Sequence, residues 1–494
     1  MQTPFNPNRQ AGKLVVVSNR ASYVFAEDAE QITWKRAVSG LVSAVEPVLN
    51  SANGTWVAWC GRLGSPQGKG VRIGVPAGSP RYFLQEVVLD QEDYRGYYHG
   101  FANSCLWPLA HQMIDKCDFQ GQYWQAYRKV NHQFARTVLE CARAESIFWV
   151  HDYHLAIVPQ LIRRRLPGAK IAFFWHIPFP PPDVFAVLPW GRQVLHGLLG
   201  SDLIAFHTRS YLENFLACAK KYFRLKINPE HGLIWFGDRR IIARAVPVGI
   251  NWQHFEQLAD DPEVKAQAQQ IRRSTGAKHL FLGIDRLDYT KGIPERIKAF
   301  GAFLDKFPQY RGKATLLQIA VPTRNGVEAY DRLKAEVERL VGEINGAYDH
   351  GCGAVPVRYL HRSLNEKELV AHYLAADVML VTALRDGLNL IAKEFIAART
   401  DGQGVLLLSP FAGVADELTS ALLANPYNVT QLANRMKTAL EMPPEEKRER
   451  LRALQQTVKN KDSRWWWQTQ LKLISLPQGR LIPEKPLAAN QTAT

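Results

Sequence analysis

The chain of 494 residues contains no apolar run of the roughly 18 residues that a membrane-spanning helix needs. Its opening residues, MQTPFNPNRQAGK, lack the apolar region of a secretory signal, so a cytoplasmic location is expected. Cysteine is scarce and scattered (Cys60, Cys105, Cys117, Cys141, Cys218, Cys352), with no Cys-x-x-Cys spacing. That pattern fits reduced thiols better than a disulfide framework or a zinc site. No zinc-finger, RNP or basic-zipper pattern accompanies the net charge of +15. Basic residues are spread along the whole chain, tightest at Arg163–Arg165. This favours an enzyme that handles phosphorylated small molecules over a nucleic-acid binder. No Gly-x-Gly-x-x-Gly follows an apolar run, which argues against a dinucleotide oxidoreductase. Internal repeats and low-complexity tracts are also missing.

What the chain has is apolar residues, 46% of the total, enough for more than one core. Several segments share one design: a continuous apolar run, then polar residues, then a helical pattern. KLVVVSNR ends at Arg20, SIFWVHDYH at Asp152 and His154, HLFLGIDR at Arg286 and DVMLVTALRD at Asp386. KIAFFWHIPFP carries His176, DLIAFHT carries His207 and GVLLLSPFAG carries Ser409. Such runs predict parallel strands buried on both faces, with ligands bound beyond their carboxyl ends. The expected fold is α/β, with two Rossmann-like parallel-sheet domains and a cleft between them. Pro247 and Gly249 mark the junction. The expected units are 1–248, 249–460, a helix in 461–480 docking back, and a mobile tail, 481–494.

Three stretches carry chemistry. In GIDRLDYTKGIPER, Arg286 and Lys291 stand between a strand end and a helix that Pro294 suits at its first turn. That place favours anions, and two cations suit a diphosphate. Surface salt bridges to Asp285, Asp288 or Glu295 are the plain alternative. In ALRDGLNLIAKEF, a helix is expected from about Leu388, with Asp386 at its mouth and Glu394 about 9 Å along it at ~1.5 Å per residue. The two carboxylates could bind hydroxyls at both ends of one ligand, or be an N-cap and a solvated residue. In WVHDYHL and WHIPFPP, Asp152, His154 and His176 suit sugar hydroxyls better than a metal, since their spacing is not that of helical ligands. Tyr98 and Trp107 flank an expected Gly- and Asn-containing loop, YYHGFANSCLWP. They are core residues or an acceptor wall.

With VVVSNR, NSCLWP, VHDYHL, HIPFP, DRLDYTKGIPER, LRDGLNLIAKE and FAG..DEL in order, the chain resembles the trehalose-6-phosphate synthase family of retaining glycosyltransferases. The resemblance, from Lys13 to Leu473, implies a GT-B fold, UDP-glucose as the expected donor and glucose 6-phosphate as acceptor. It assigns Arg286 and Lys291 to the donor diphosphate, and Asp386 with Gly387, Leu388, Asn389 and Leu390 to the transferring glucose. Glu394 is implied for the ribose, His176 for the donor sugar and Gly40 for a loop over the donor. Arg20, Trp59, Tyr98, Trp107 and Arg324 match acceptor positions, and Asp152 lies near the reacting hydroxyls. Asp152, His176, Arg286, Lys291 and Asp386 are thus the implied catalytic set. No cofactor or metal, no nucleic acid and no membrane partner is implied. A homo-oligomer stays an option that the sequence does not set. Ser39 stands where the family has Gly, Pro410 where it has Glu, and Asp183 where Glu is common. Related glucosylglycerol-phosphate synthases, cyclitol-joining pseudo-glycosyltransferases and non-catalytic sugar-phosphate sensors are the rival readings.

Overall fold

Apolar runs become parallel strands here because helices cover both of their faces. The computed structural model describes residues 13–28, 31–36, 40–64, 70–76, 79–323, 328–348 and 353–476. Ser39, Arg324, Cys352 and the expected tail, 481–494, lie outside the described residues.

A ten-stranded sheet is built from the first half of the chain. Its central strand, Leu14–Arg20, pairs in parallel with Thr55–Trp59 on one side and Ile147–His151 on the other. Lys170–Phe174, Leu203–Phe206 and Arg239–Ala245 continue the parallel order. Antiparallel strands close both edges. A six-stranded, wholly parallel sheet follows, in the order Val357–Leu360, Ala314–Val321, His279–Arg286, Val378–Val381, Val405–Leu408, Leu422–Leu423. Arg20, Asp152, His176, His207, Arg286, Asp386 and Ser409 all stand at or just beyond the carboxyl ends of their strands.

The helix Ile293–Lys306 buries Ile297, Phe300, Phe303 and Leu304 on one stripe, as its spacing predicts. Gly292 begins it with φ +64°, and a Cβ there would lie 2.3 Å from the Thr382 carbonyl oxygen. Only glycine meets both demands. Arg296, on the same helix, is fully buried and not solvated. Its guanidinium donates to Thr382 Oγ1 (2.9 Å), Gln318 Oε1 (2.8 Å) and Asp285 Oδ2 (2.7 Å), tying three strands to the helix.

The segment expected as a Gly- and Asn-containing loop is a π-helix, Arg95–Leu106. Its glycines are not turn residues. A Cβ on Gly96 would lie 2.6 Å from Ala126 Cβ, and one on Gly100 2.4 Å from the Tyr123 ring. They let the helix Gly121–Glu140 pack close. Asn103 Nδ2 and Ser104 Oγ each donate to the carbonyl five residues earlier, Tyr98 O and His99 O, both at 2.7 Å. Side chains thus take up carbonyls that the wide turn would leave underused.

The chain crosses between the two sheets twice. At the first crossing Gly249 presses on the second, its missing Cβ 2.1 Å from the Asp462 carbonyl carbon. Ser463 N donates to Ile250 O (2.9 Å) beside it. Buried Lys393 donates to Val248 O (2.8 Å) and pairs with Glu417 (2.7 Å), which also meets Lys461 (3.2 Å). After the second crossing the helix Ser463–Ile474, capped by Asp462, returns to the first sheet. Trp466 is fully buried, 5.1 Å from the Trp149 ring, and Trp149 Nε1 donates to Gln470 Oε1 (3.1 Å). Truncating Trp466 to Ala would cost roughly 3–5 kcal/mol. One apolar cluster runs from Val16 and Trp56 through Trp466 to Leu282 and Leu406, so the two sheets share a core.

Candidate active site

The two sets of strand ends meet across a cleft. On the second sheet, Asp288 caps the turn after His279–Arg286, its carboxylate accepting from Thr290 N (3.0 Å) and Thr290 Oγ1 (2.9 Å). This turn aims Lys291 back at the neighbouring strand end. Lys291 Nζ lies 2.5 Å from Asp386 Oδ2, and both side chains are about nine-tenths buried. Neither cation forms the surface bridges weighed above. Lys291 pairs with Asp386, and Asp285 is taken by Arg296. Burial disfavours the Asp386 charge, but Lys291, with smaller help from His111 and Asn389, outweighs it and holds the carboxyl below its ordinary range.

Asp386 is fixed through its backbone. Its N–H donates to Phe411 O (3.1 Å), and its carbonyl accepts from Gly413 N (3.1 Å) and Tyr211 Oη (3.0 Å). The next helix begins at Leu390, not at Leu388, and its N-cap is Asn389, not Asp386. Asn389, at φ +87°, accepts from Ala392 N (3.2 Å) and donates to Asp386 Oδ2 (3.1 Å). Because an asparagine takes the cap, the Asp386 carboxylate is released to Lys291. Glu394 then lies about 6 Å along the axis from the helix start. It accepts from Tyr373 Oη (2.9 Å), and burial pushes its carboxyl up to about 7.

The first sheet comes close at several points. A Cβ on Gly387 would stand 2.3 Å from the His176 carbonyl oxygen, so the backbones touch. A Cβ on Gly40, at the start of the helix Gly40–Ala52, would lie 2.4 Å from Leu390 Cδ1. Leu388 is buried and its carbonyl accepts from Val414 N (2.9 Å). Exposed Arg286 reaches across to Trp107, its guanidinium 5.3 Å from the ring centre. A cation at that distance over an indole is attracted by the ring quadrupole.

His111 is a member of this cluster that the sequence reading missed. Its Nδ1 bonds the Trp107 carbonyl (2.7 Å), its ring lies tilted with its centre 4.2 Å from that of the indole, and burial pushes its pKa down to about 4. The only signal was its place one helical turn after Trp107.

Asp152 sits at φ +75°, a strained position for a residue with a Cβ. Its carboxylate accepts from Tyr153 N (2.9 Å) and His176 N (3.2 Å), with His154 Nδ1 3.7 Å away. Arg20 donates to Tyr98 Oη (2.8 Å). Tyr98 stacks between Tyr94 (5.2 Å) and His154 (5.8 Å), and Trp59 lies 4.6 Å from Tyr94. The wall therefore extends from Trp59 to Asp152, with one guanidinium at its edge. Among the described residues, no group of three or more His, Cys, Asp or Glu side chains could hold a metal ion, and no helix is long and apolar enough to cross a membrane.

The arrangement offers two cations and helix N–H groups on one side and, on the other, an aromatic wall with the Asp152 carboxylate and the Arg20 guanidinium. The sequence profile of glycosyltransferase family 20 matches residues 12–475. The chain belongs to glycosyltransferase family 20. It is 38% identical over 461 residues to trehalose-6-phosphate synthase of Mycolicibacterium smegmatis, covering 92% of this chain and 90% of that one. It is 37% identical over 487 residues to the bifunctional trehalose-6-phosphate synthase/phosphatase of Thermoproteus tenax, covering 96% of this chain but only 65% of that longer protein. Among solved structures, the E. coli trehalose-6-phosphate synthase bound with UDP-2-fluoro glucose superposes with a TM-score of 0.86 at 32% identity, over 94% of this chain and 99% of that one. The Burkholderia xenovorans UDP-forming enzyme in complex with glucose-6-phosphate gives 0.86 at 31% identity, over 94% and 100%. This family 20 chain has the α/β GT-B fold, two parallel-sheet units with the site between them.

Proposed function

We propose that this family 20 member transfers glucose from UDP-glucose to glucose 6-phosphate with retention, releasing UDP and forming α,α-trehalose 6-phosphate. The observation that carries the reading is the Lys291–Asp386 pair, with Arg286 beside it, at a strand-to-helix junction facing the wall of Arg20, Tyr98 and Asp152. As the bond from C1 to the diphosphate oxygen breaks, negative charge builds on the diphosphate and positive charge on the sugar. Lys291, Arg286 and the N–H groups at the start of Ile293–Lys306 and Leu390–Ala398 are placed to stabilise the leaving charge. Asp386 and His176, with the Gly387–Leu390 backbone, hold the transferring sugar, and Glu394 takes the ribose hydroxyls. Gly40 closes over the donor.

On the other side, Arg20, Tyr98, Trp107, Trp59 and Arg324 grip the acceptor, with Asp152 next to its reacting hydroxyl. That hydroxyl attacks from the face the leaving group vacates, and the diphosphate takes its proton. No metal enters this scheme. The division at residue 248 and a cytoplasmic setting, which free thiols at Cys60, Cys105, Cys117, Cys141 and Cys218 support, belong to the same reading, with a homo-oligomer open to it.

The test is a product assay with UDP-, GDP- and ADP-glucose, each offered with glucose 6-phosphate or glycerol 3-phosphate. Trehalose 6-phosphate from UDP-glucose is the expected product. Preference for glycerol 3-phosphate would replace this reading with a glucosylglycerol-phosphate synthase.

A further inference from the structure

Against His176 lies a second imidazole. His151, the last residue of the strand Ile147–His151, is fully buried, and its Nδ1 is 3.0 Å from His176 Nε2. Burial, reinforced by each histidine's neighbouring imidazoles, holds both rings neutral. One proton therefore lies between them, and there are two arrangements. If His151 Nδ1–H donates, His151 Nε2 is left a bare acceptor and His176 carries its proton on Nδ1. If His176 Nε2–H donates, His151 must carry its proton on Nε2, and His176 Nδ1 is an acceptor.

The surroundings of His151 decide between them. Among the described residues, its buried Nε2 has no hydrogen-bond partner. Packed in the same layer, Trp466 Nε1 and Gln470 Nε2 are also buried without partners among the described residues. The Gln470 amide cannot be turned round, because its oxygen already accepts from Trp149 Nε1. The Trp149 ring lies 4.6 Å, and the Trp466 ring 6.2 Å, from that of His151. With the Gln470 oxygen engaged by Trp149, the unpaired groups that Trp466 and Gln470 bring to this layer are N–H donors. An N–H on His151 Nε2 would add a third unpaired buried donor to the two already there. A lone pair on His151 Nε2 gives them an acceptor to reach through an internal water, which accepts from both and donates to Nε2.

We infer that His151 is a positioning residue that fixes His176 as its Nδ1–H tautomer, so that the site offers the transferring sugar a hydrogen-bond donor at this position. The last helix, Ser463–Ile474, takes part through Trp466 and Gln470. The tautomer follows from the apoprotein geometry alone. Only its use toward a sugar oxygen rests on the function proposed above.

The test is nitrogen NMR of full-length protein labelled with 15N-histidine, with His176 assigned through His176→Gln. The expected spectrum shows His176 protonated on Nδ1 and bare on Nε2. His151→Phe, which keeps the ring volume and loses the donor, should mix the tautomers. It should also lower kcat about tenfold, the scale of one net hydrogen bond, with the Kd for UDP unchanged. His151→Asn places an amide N–H near the lost Nδ1–H and should restore kcat to within about threefold. A wild-type His176 protonated on Nε2 would overturn the inference. Equal impairment of the Phe and Asn variants would do so too, since it would mean packing alone. If the wild type transferred no glucose, the proposed function would fall, while the spectrum would still decide the tautomer.

Discussion

The two faces of the cleft are built differently. On the second sheet Lys291 is matched with Asp386 before any ligand arrives, Arg296 is paired with Asp285 beneath it, and Arg286 lies over the Trp107 ring. On the first sheet the face is an aromatic stack, Trp59–Tyr94–Tyr98–His154, with Arg20 hydrogen-bonded at its edge. Pairing fixes a cation in place at low dielectric, so no reorganisation is needed when charge develops. Stacked rings make a shaped surface with few rotatable bonds. The second sheet is suited to reading charge, and the first to reading shape and hydroxyls.

The strongest way to break this contrast is to remove a cation from the charge-reading face. Lys291→Ala or Arg286→Ala should lower turnover by roughly 10²-fold or more, the scale of losing one transition-state donor. Near-normal steady-state rates in both would sink the diphosphate assignment. On the shape-reading face, Arg20→Ala should raise the KM for glucose 6-phosphate about tenfold while leaving that for UDP-glucose unchanged, an effect of one charge-assisted hydrogen bond. A matching rise in both constants would erase the division of labour.

A smaller effect concerns pH. Glu394 titrates near 7 because burial disfavours its charge. In the ribose role proposed for it, the carboxylate is the better hydrogen-bond acceptor and the acid has one acceptor site fewer. The donor KM should therefore rise several-fold as pH falls through about 7, and Glu394→Gln should flatten that profile. The linkage has the opposite sense for folding. A raised carboxyl pKa stabilises the protein below its unfolded value and loses that contribution as pH rises through about 7, so the Gln variant should melt higher on the alkaline side. Smallest of all is the expected effect of EDTA on rate, which is none. Loss of activity restored by a divalent ion would refute the metal-free scheme.

The strand ends were legible because continuous apolar runs announce buried parallel strands, and the helix Ile293–Lys306 because its stripe and Pro294 agree. The π-helix was not, since Gly96 and Gly100 look like turn residues until Ala126 and Tyr123 are seen packed on them. Arg296 reads like any surface arginine, for Asp285, Gln318 and Thr382 converge on it only in space. Asn389 displaced Asp386 as the cap because an asparagine tolerates positive φ, a preference that composition hints at and spacing does not. His151 was passed over beside Asp152, as its role depends on a helix more than 300 residues away, through the Trp149–Gln470 bond at a separation of 321.

The two crossings between the sheets touch at Gly249 and Asp462. A single connection would be a tether, about which the halves could swivel freely. Two connections side by side are a pin, and they confine any opening of the cleft to rotation about one line. In any such rotation Lys393, bonded to Val248 at that pin, would travel least, and side chains farther out would sweep wider arcs. A methyl group added at Gly249 falls 2.1 Å from the Asp462 carbonyl carbon and wedges the pin itself, spoiling the fit of charge-reading and shape-reading faces without touching either.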